Sequence, residues 1–232
     1  MSPPRLEVRT LSDRLVEVVR DFILSGAISS DEPIRQDAMA AELHVSKIPL
    51  REALARLEQD GLVVSYPNRG FFVRPMSPEE AEEIYELRLK LEPDAAARGS
   101  LNASDAERAH ARETLALLDV DAAEHKQTVG ALNRAFHMAL VTPGAGSVTA
   151  NLVARLHVMA DRYVRKHLEP KGRSIEAEAA HHEILEAWLD KREADVRRLV
   201  SEHLEHTLAD LRIELSAKAD LAPKPTRKNS RK

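Results

Sequence analysis

The sequence predicts a mainly α protein in two parts: three helices and a β-hairpin at the N-terminus, then an all-α antiparallel bundle of six helices. Three observations carry that expectation. Apolar residues recur at helical spacing along almost the whole chain, as Leu50, Ala53, Leu54 and Leu57 do at i, i+3, i+4, i+7. The period becomes strand-like in one region, residues 62–66 and 71–74, around the turn signal Pro67-Asn68-Arg69-Gly70. Aromatic residues make up only 3% of the chain while Ala, Leu, Glu and Arg abound, a composition that favours helix.

In chain order, Leu11, Leu15, Val18, Val19, Phe22 and Ile23 mark a first amphipathic helix, ended by Gly26 and the turn-rich residues 29–33. Met39, Ala40 and Leu43 give an apolar edge to a short helix over 36–44. A third helix is expected over 47–60, with Ser46 as N-cap accepting an orphan backbone N–H, Pro49 in the first turn and Gly61 as terminator. Two short helices meeting at a tight turn, followed by a hairpin, make a winged helix-turn-helix over residues 1–75. Lys47, Arg51 and Ala55 share the outward line of the third helix, which suits a major-groove reader; a merely solvated charged face is the plainer alternative. Arg69 and Gly70 at the wing tip are placed to approach the DNA backbone or minor groove, against the alternative of a hairpin that only closes a small core.

Ser77-Pro78-Glu79-Glu80 combines an N-cap, a proline at the first helical position and a capping-box glutamate, so a new domain starts near residue 76. Helices are expected near 77–99, 104–119, 122–141, 147–169, 174–190 and 192–217. Gly99, Thr142-Pro143-Gly144 and Pro170-Lys171-Gly172 serve as stops, Ser104 with Glu107 as a second capping box, and Pro93 as a kink. Six such helices fit a bundle over 76–217. Residues 218–232, with six Lys or Arg, two Pro and little apolar content, are expected to form a disordered basic tail.

Composition narrows the function. The absence of cysteine excludes disulfides and thiolate chemistry and fits a reducing cytoplasm. No apolar run approaches the ~18 residues that a membrane span needs. The net charge of -4 argues against indiscriminate coating of nucleic acid. Residues 46–74 nevertheless carry a local surplus of cations, Lys47, Arg51, Arg56, Arg69 and Arg74 against Glu52, Glu58 and Asp60. That surplus is small, and a dimer doubles it.

Within the bundle, Asn133 and His137 stack at i, i+4 on one helix, and His203 lies in the apolar stripe Val196, Leu199, Val200, Thr207, Leu211 of the last. An inward histidine needs a partner for its ring nitrogens. Asn133, His137, His182 and His203 converging would suit a borderline divalent ion such as zinc. Histidines satisfied in the core or at the surface are the plainer alternative, and His181 stands beside His182.

Several stretches carry a resemblance. Ile34-Arg35-Gln36, the run from Val45 through Ser46-Lys47-Ile48-Pro49-Leu50-Arg51-Glu52-Ala53-Leu54, Gly61-Leu62-Val63 and the wing turn resemble the DNA-binding domain of GntR-family bacterial transcription regulators. The resemblance implies DNA contacts by Ser46, Lys47, Arg51 and Gly70, and a phosphate contact by Arg35. Lys47 stands where arginine is commoner, and His44 where glycine is usual.

Glu86-Leu87-Arg88 with Leu91-Glu92, the run Asn133-Arg134-Ala135-Phe136-His137, His182-Glu183-Ile184-Leu185 and His203 resemble the ligand-binding FCD domain of the FadR subgroup, in its shorter VanR-like branch. This implies a metal held by Asn133, His137, His182 and His203, with asparagine in place of the usual aspartate. It also implies a small carboxylate or sugar-acid effector gripped by Arg88, with Arg162 and Tyr163 as further pocket residues. The expectation is a cytoplasmic homodimeric regulator, a repressor of a palindromic double-stranded operator, and not an enzyme. A metal-dependent hydrolase lacks the HExxH helix such a centre commonly uses; an architectural DNA-binding protein without effector is the third reading.

Overall fold

Thr10 and Asp13 set the start of the first helix: the Thr10 hydroxyl accepts from Asp13 N, and the Asp13 carboxylate accepts from Thr10 N. The structure is a computed structural model, and it describes residues 10–123 with the exception of Asp31, 129–165 and 175–221. Helix α1 (Leu11–Leu24) buries Leu15, Val16, Val19, Ile23 and Leu24. These close on Leu50, Ala53, Leu54 and Leu57 of α3 (Lys47–Gln59), all buried, while the short α2 (Gln36–Glu42) buries Ala40. The turn from α2 into α3 passes through His44 at φ +54°. A non-glycine residue there costs about 1–2 kcal/mol, which is why the position suits glycine.

Ser46 occupies the N-cap position of α3, but contrary to expectation its hydroxyl makes no capping hydrogen bond. Pro49 supplies the reason. A capping oxygen takes the N–H of the second or third helical residue, and the third here is a proline with none to give.

The wing is an antiparallel pair, β1 (Val63–Tyr66) and β2 (Gly70–Val73), with Val63 opposite Val73 and Tyr66 opposite Gly70. Arg69 N closes the turn on Tyr66 O at 3.0 Å, and Gly70 follows at φ +85°, a conformation open mainly to glycine. Ile34 N donates to Phe71 O at 2.7 Å, which ties the segment ahead of α2 to the hairpin.

The bundle consists of α4 (Pro78–Asn102), α5 (Asp105–Ala123), α6 (Val129–Val141), α7 (Ser147–Tyr163), α8 (Ile175–Leu189) and α9 (Glu193–Leu221). Tyr85, Leu118, Phe136, Ile184, Trp188 and Leu204 fill its core. Gly99, expected to stop α4, lies inside it. A Cβ there would stand 2.2 Å from Leu140 O, so this glycine serves a close backbone approach and not a helix end. Helix α9 also runs past residue 217 to Leu221, through the helix formers Ala217, Lys218, Ala219 and Leu221. The rest of the expected tail and the stop at residues 170–172 lie outside the described residues.

Head and bundle meet along α7. Val158 completes the apolar core of the head, and Met159 lies against Gly61, where a Cβ would stand 3.1 Å from its Sδ. Tyr163 Oη donates to Glu80 Oε2 at 2.6 Å and accepts from Ser77 N at 3.1 Å. Glu80 therefore serves this junction, and only the Ser77 half of the expected capping box forms, Glu80 N donating to Ser77 Oγ at 3.1 Å.

Candidate functional site

Two places collect the polar residues singled out above: the outer face of the head and the centre of the bundle. On the head, Lys47 and Arg51 from the first turns of α3 share one concavity with Asn68 and Gly70 of the wing and Gln36 and Asp37 of α2. Lys47 is ion-paired with Asp37, Arg56 with Asp13, and Arg74 with Glu80. Arg51 has no acidic partner among the described residues. The Arg69 guanidinium rests over the Tyr66 and Phe72 rings at 5.7 and 5.3 Å, a cation held at the wing tip by ring faces. Arg35 caps α2, its side chain exposed and 3.5 Å from Glu32. The structure thus gathers Lys47, Arg51 and Gly70 in one concavity, holds Arg69 over the rings of the adjoining wing tip, and pairs off Arg56 and Arg74. Gln36 and Asn68 join that surface without having been singled out in the sequence.

In the bundle, α4 turns Tyr85, Arg88 and Glu92 inward. Arg88 is 4% exposed and Glu92 0%, and the guanidinium grips the carboxylate twice, Nε to Oε1 at 2.6 Å and Nη2 to Oε2 at 3.3 Å. His157 of α7 places Nε2 3.1 Å from Glu92 Oε2 and 3.3 Å from Arg88 Nη2. Burial works to raise the Glu92 carboxyl, but Arg88 and His157 outweigh it and hold the group well below the usual carboxylate range. Burial lowers both His157, with Arg88 adding to the effect, and His137, with His157 and His203 adding to it. Both shifts favour the neutral ring.

His137 of α6 sits between two groups. On one side are His181 of α8 and His203 of α9, the three offering ring nitrogens within 4.8 Å of one another. His181 Nε2 and His203 Nε2 are 3.2 Å apart. Two nitrogens on one tetrahedral zinc, at ~2.0–2.1 Å each, lie about 3.3 Å apart. His137 Nε2 is buried without a hydrogen-bond partner. Three converging imidazoles, a fitting separation and one orphaned nitrogen together fit a divalent ion. On the other side, Glu92 and His157 form a second triad with His137. That triad does not suit a cation, because Arg88 lies against both Glu92 and His157.

Several expectations need correction. His182, counted among the inward ligands, points outward with its side chain 60% exposed and Nε2 3.1 Å from Asp119 Oδ2. The inward histidine is its neighbour, in register with Ile184, Leu185 and Trp188 at i, i+3, i+4, i+7 from His181. Arg162 and Tyr163 do not line the centre of the bundle: Arg162 donates to the backbone carbonyl of Arg74 and Tyr163 to Glu80, both at the junction with the head. Arg88 faces inward as expected, but the carboxylate it grips belongs to Glu92. Asn133 lies half-buried one turn before His137. Glu92, His157 and His181 were missed.

The FCD domain model matches residues 83–206, just over half of the chain, and the model for bacterial regulatory proteins of the gntR family matches residues 11–73. The chain belongs to the GntR family. It is a GntR regulator with an FCD domain, a combination that fits the FadR subgroup, and a DNA-binding transcription regulator in place of an enzyme. Over 110 residues it is 36% identical to the Nta operon transcriptional regulator of Aminobacter aminovorans, an alignment covering 47% of this chain and 52%, about half, of that protein. It is 27% identical over 195 residues to the transcriptional repressor GlaR of Escherichia coli, covering 80% and 89% of the two chains. The solved structure of E. coli McbR/YncC superimposes with a TM-score of 0.74 at 22% identity, over 88% of this GntR regulator and 98% of that chain, a likeness of fold. Among the described residues, no helix is long and apolar enough to cross a membrane.

Proposed function

We propose that this GntR regulator is a cytoplasmic homodimeric repressor that holds a palindromic double-stranded operator through two winged heads and releases it when a small carboxylate or sugar acid binds in the bundle. Few cations are available on one head, and affinity for DNA rises steeply with the number of phosphates neutralised, so two heads acting together fit the charge at hand. Ser46, whose hydroxyl is not used as a cap, and Arg35 join Lys47, Arg51, Arg69 and Gly70 as DNA contacts. A relative along most of its length, GlaR, is named a repressor.

One observation carries the effector half of this reading. His137 Nε2 is a buried nitrogen without a partner, and two further imidazoles converge on it. An orphan of this kind costs stability unless something completes it. His137, His181 and His203 would hold a zinc ion, with Asn133 as a neutral oxygen donor in place of a charged one. Such an ion supplies positive charge and an open coordination position for an anionic oxygen. The Arg88 guanidinium, already shared between Glu92 and Tyr85, would take a second carboxylate oxygen there. An effector moves the operator equilibrium only if it binds the released arrangement of the heads more tightly than the DNA-bound one.

Metal analysis of the purified protein tests the donor set. Stoichiometric zinc is expected in the wild type and in His182→Ala, and its loss in His181→Ala; equal metal in the two variants overturns the assignment. Operator fragments recovered by selection from genomic DNA then allow a gel shift against a panel of organic and sugar acids, with and without chelator. Release that chelator abolishes supports a metal-linked effector. A panel that neither raises the melting temperature nor releases DNA leaves the bundle as a dimerisation domain and sinks the effector reading.

A further inference from the structure

We propose that Ile48 determines part of the operator sequence by reading the C5-methyl group of a thymine in the major groove. Ile48 is 72% exposed, and neither of the two apolar cores includes it. It is the second residue of α3, next to Lys47 and one turn before Arg51, so Ile48, Arg51 and Ala55 fall at i, i+3, i+7 on one face. A β-branched side chain contributes nothing to the first turn of a helix by its own propensity. Isolated apolar residues are common on protein surfaces. The address is what separates this one. Its face carries Arg51, a cation with no acidic partner among the described residues, and its neighbours Lys47 and Arg51 open onto the concavity shared with the wing.

A helix entering the major groove by its N-terminal turns brings such a side chain to base edges. Those edges present hydrogen-bonding atoms, to which an alkyl group cannot respond, and one apolar feature, the thymine methyl. Ala55, small and one helical repeat further on, lets the same face sit close to the bases. Lys47 and Arg51 on either side supply polar contacts, and Ile48 adds a preference that neither can express. The outward Leu87, Leu101 and Ile213 of the bundle are also exposed, but nothing in the structure shows what covers them.

The proposal rests on operator binding by the head, and the experiment separates the two. Full-length protein is used to select sites from random duplex DNA. Each thymine of the selected half-site is then replaced in turn by deoxyuridine, which removes the methyl and keeps the base pair. One thymine per half-site is expected at which this weakens wild-type binding roughly fourfold, the worth of one methyl-sized apolar contact. Ile48→Ala, a change on the surface that spares both cores, should bind more weakly and be indifferent to the methyl at that position. Ile48→Val should fall between. The proposal is overturned if no thymine shows the effect, if the selected half-site contains no thymine, or if Ile48→Ala keeps the wild-type sensitivity. Failure to enrich any site overturns the operator reading together with it.

Discussion

Replacing Arg88 by alanine is expected to destabilise the bundle severely while leaving every apolar side chain in place. Arg88 and Glu92 are 4% and 0% exposed, and the guanidinium bonds to both oxygens of the carboxylate, at 2.6 and 3.3 Å. Without it, the carboxylate keeps only His157, at 3.1 Å, in a site closed to water. Breaking one side of a buried pair costs about 3–5 kcal/mol, chiefly because the remaining charge is stranded. Trp188 is the only tryptophan of the chain and sits at 0% exposure in the bundle core, so its fluorescence follows the bundle and not the head. With a urea dependence of about 2 kcal/mol per molar, the midpoint should fall by roughly 2 M.

The double variant Arg88→Met, Glu92→Leu removes the pair at similar volume and should lie within about 1 kcal/mol of wild type. Acid gives an independent check. Glu92 is depressed in the folded state relative to an unfolded value of about 4.3. Its contribution is therefore fully present above that value and is lost as pH falls through the folded pKa, so the wild type should lose stability in acid faster than the double variant. A wild-type midpoint for Arg88→Ala, or a double variant as weak as the single one, would refute the argument that a stranded carboxylate is the cost.

Three further outcomes are expected. Arg51→Ala should weaken operator binding and reduce the slope of log affinity against log salt by about one per head, whereas Arg56→Ala, whose guanidinium is bound to Asp13, should leave the slope alone; identical gel-shift titrations for Arg51→Ala and wild type would remove α3 as the reading helix. Gly99→Ala would place a methyl 2.2 Å from Leu140 O and should cost about 1–3 kcal/mol in the Trp188 urea titration, and an unchanged midpoint would show that the backbones are not in close approach. Tyr163→Phe removes the bonds to Glu80 and Ser77, so hydrogen exchange over residues 76–81 should quicken, and unchanged exchange would count against a hydrogen-bonded junction.

Periodicity was enough to read the architecture, because helices and hairpin each impose a spacing on their apolar residues. The site was harder, since facing direction turns by 100° per residue and an error of one position reverses it. His181 completes the stripe of Ile184, Leu185 and Trp188, a signal present in the sequence that would have chosen it over His182. His157 likewise shares a buried stripe with Val153, Leu156 and Ala160. The i, i+4 spacing of Arg88 and Glu92 makes them neighbours on one helix face, but that spacing alone does not say whether the arginine is spent on its own acid or left for a ligand. Arg162 and Tyr163 show the converse. Both are buried on α7, but Arg162 meets the backbone of Arg74 just past the wing and Tyr163 meets Ser77 and Glu80 at the start of α4, and only the packing of the two domains decides that.

His157 and Val158 are neighbours in the chain and serve different cores, one beside Arg88 and Glu92, the other among the apolar residues of the head. The border that looks like a clean cut near residue 75 is thus crossed again, more than a third of the chain later, by a single helix. A chimaera that joins this head to the bundle of a relative would set Gly61 and its surroundings against an α7 shaped for another head. Exchange of heads is therefore expected to need compensating changes at Val158, Met159 and Arg162. The unit that can be transplanted whole is the head together with one face of α7.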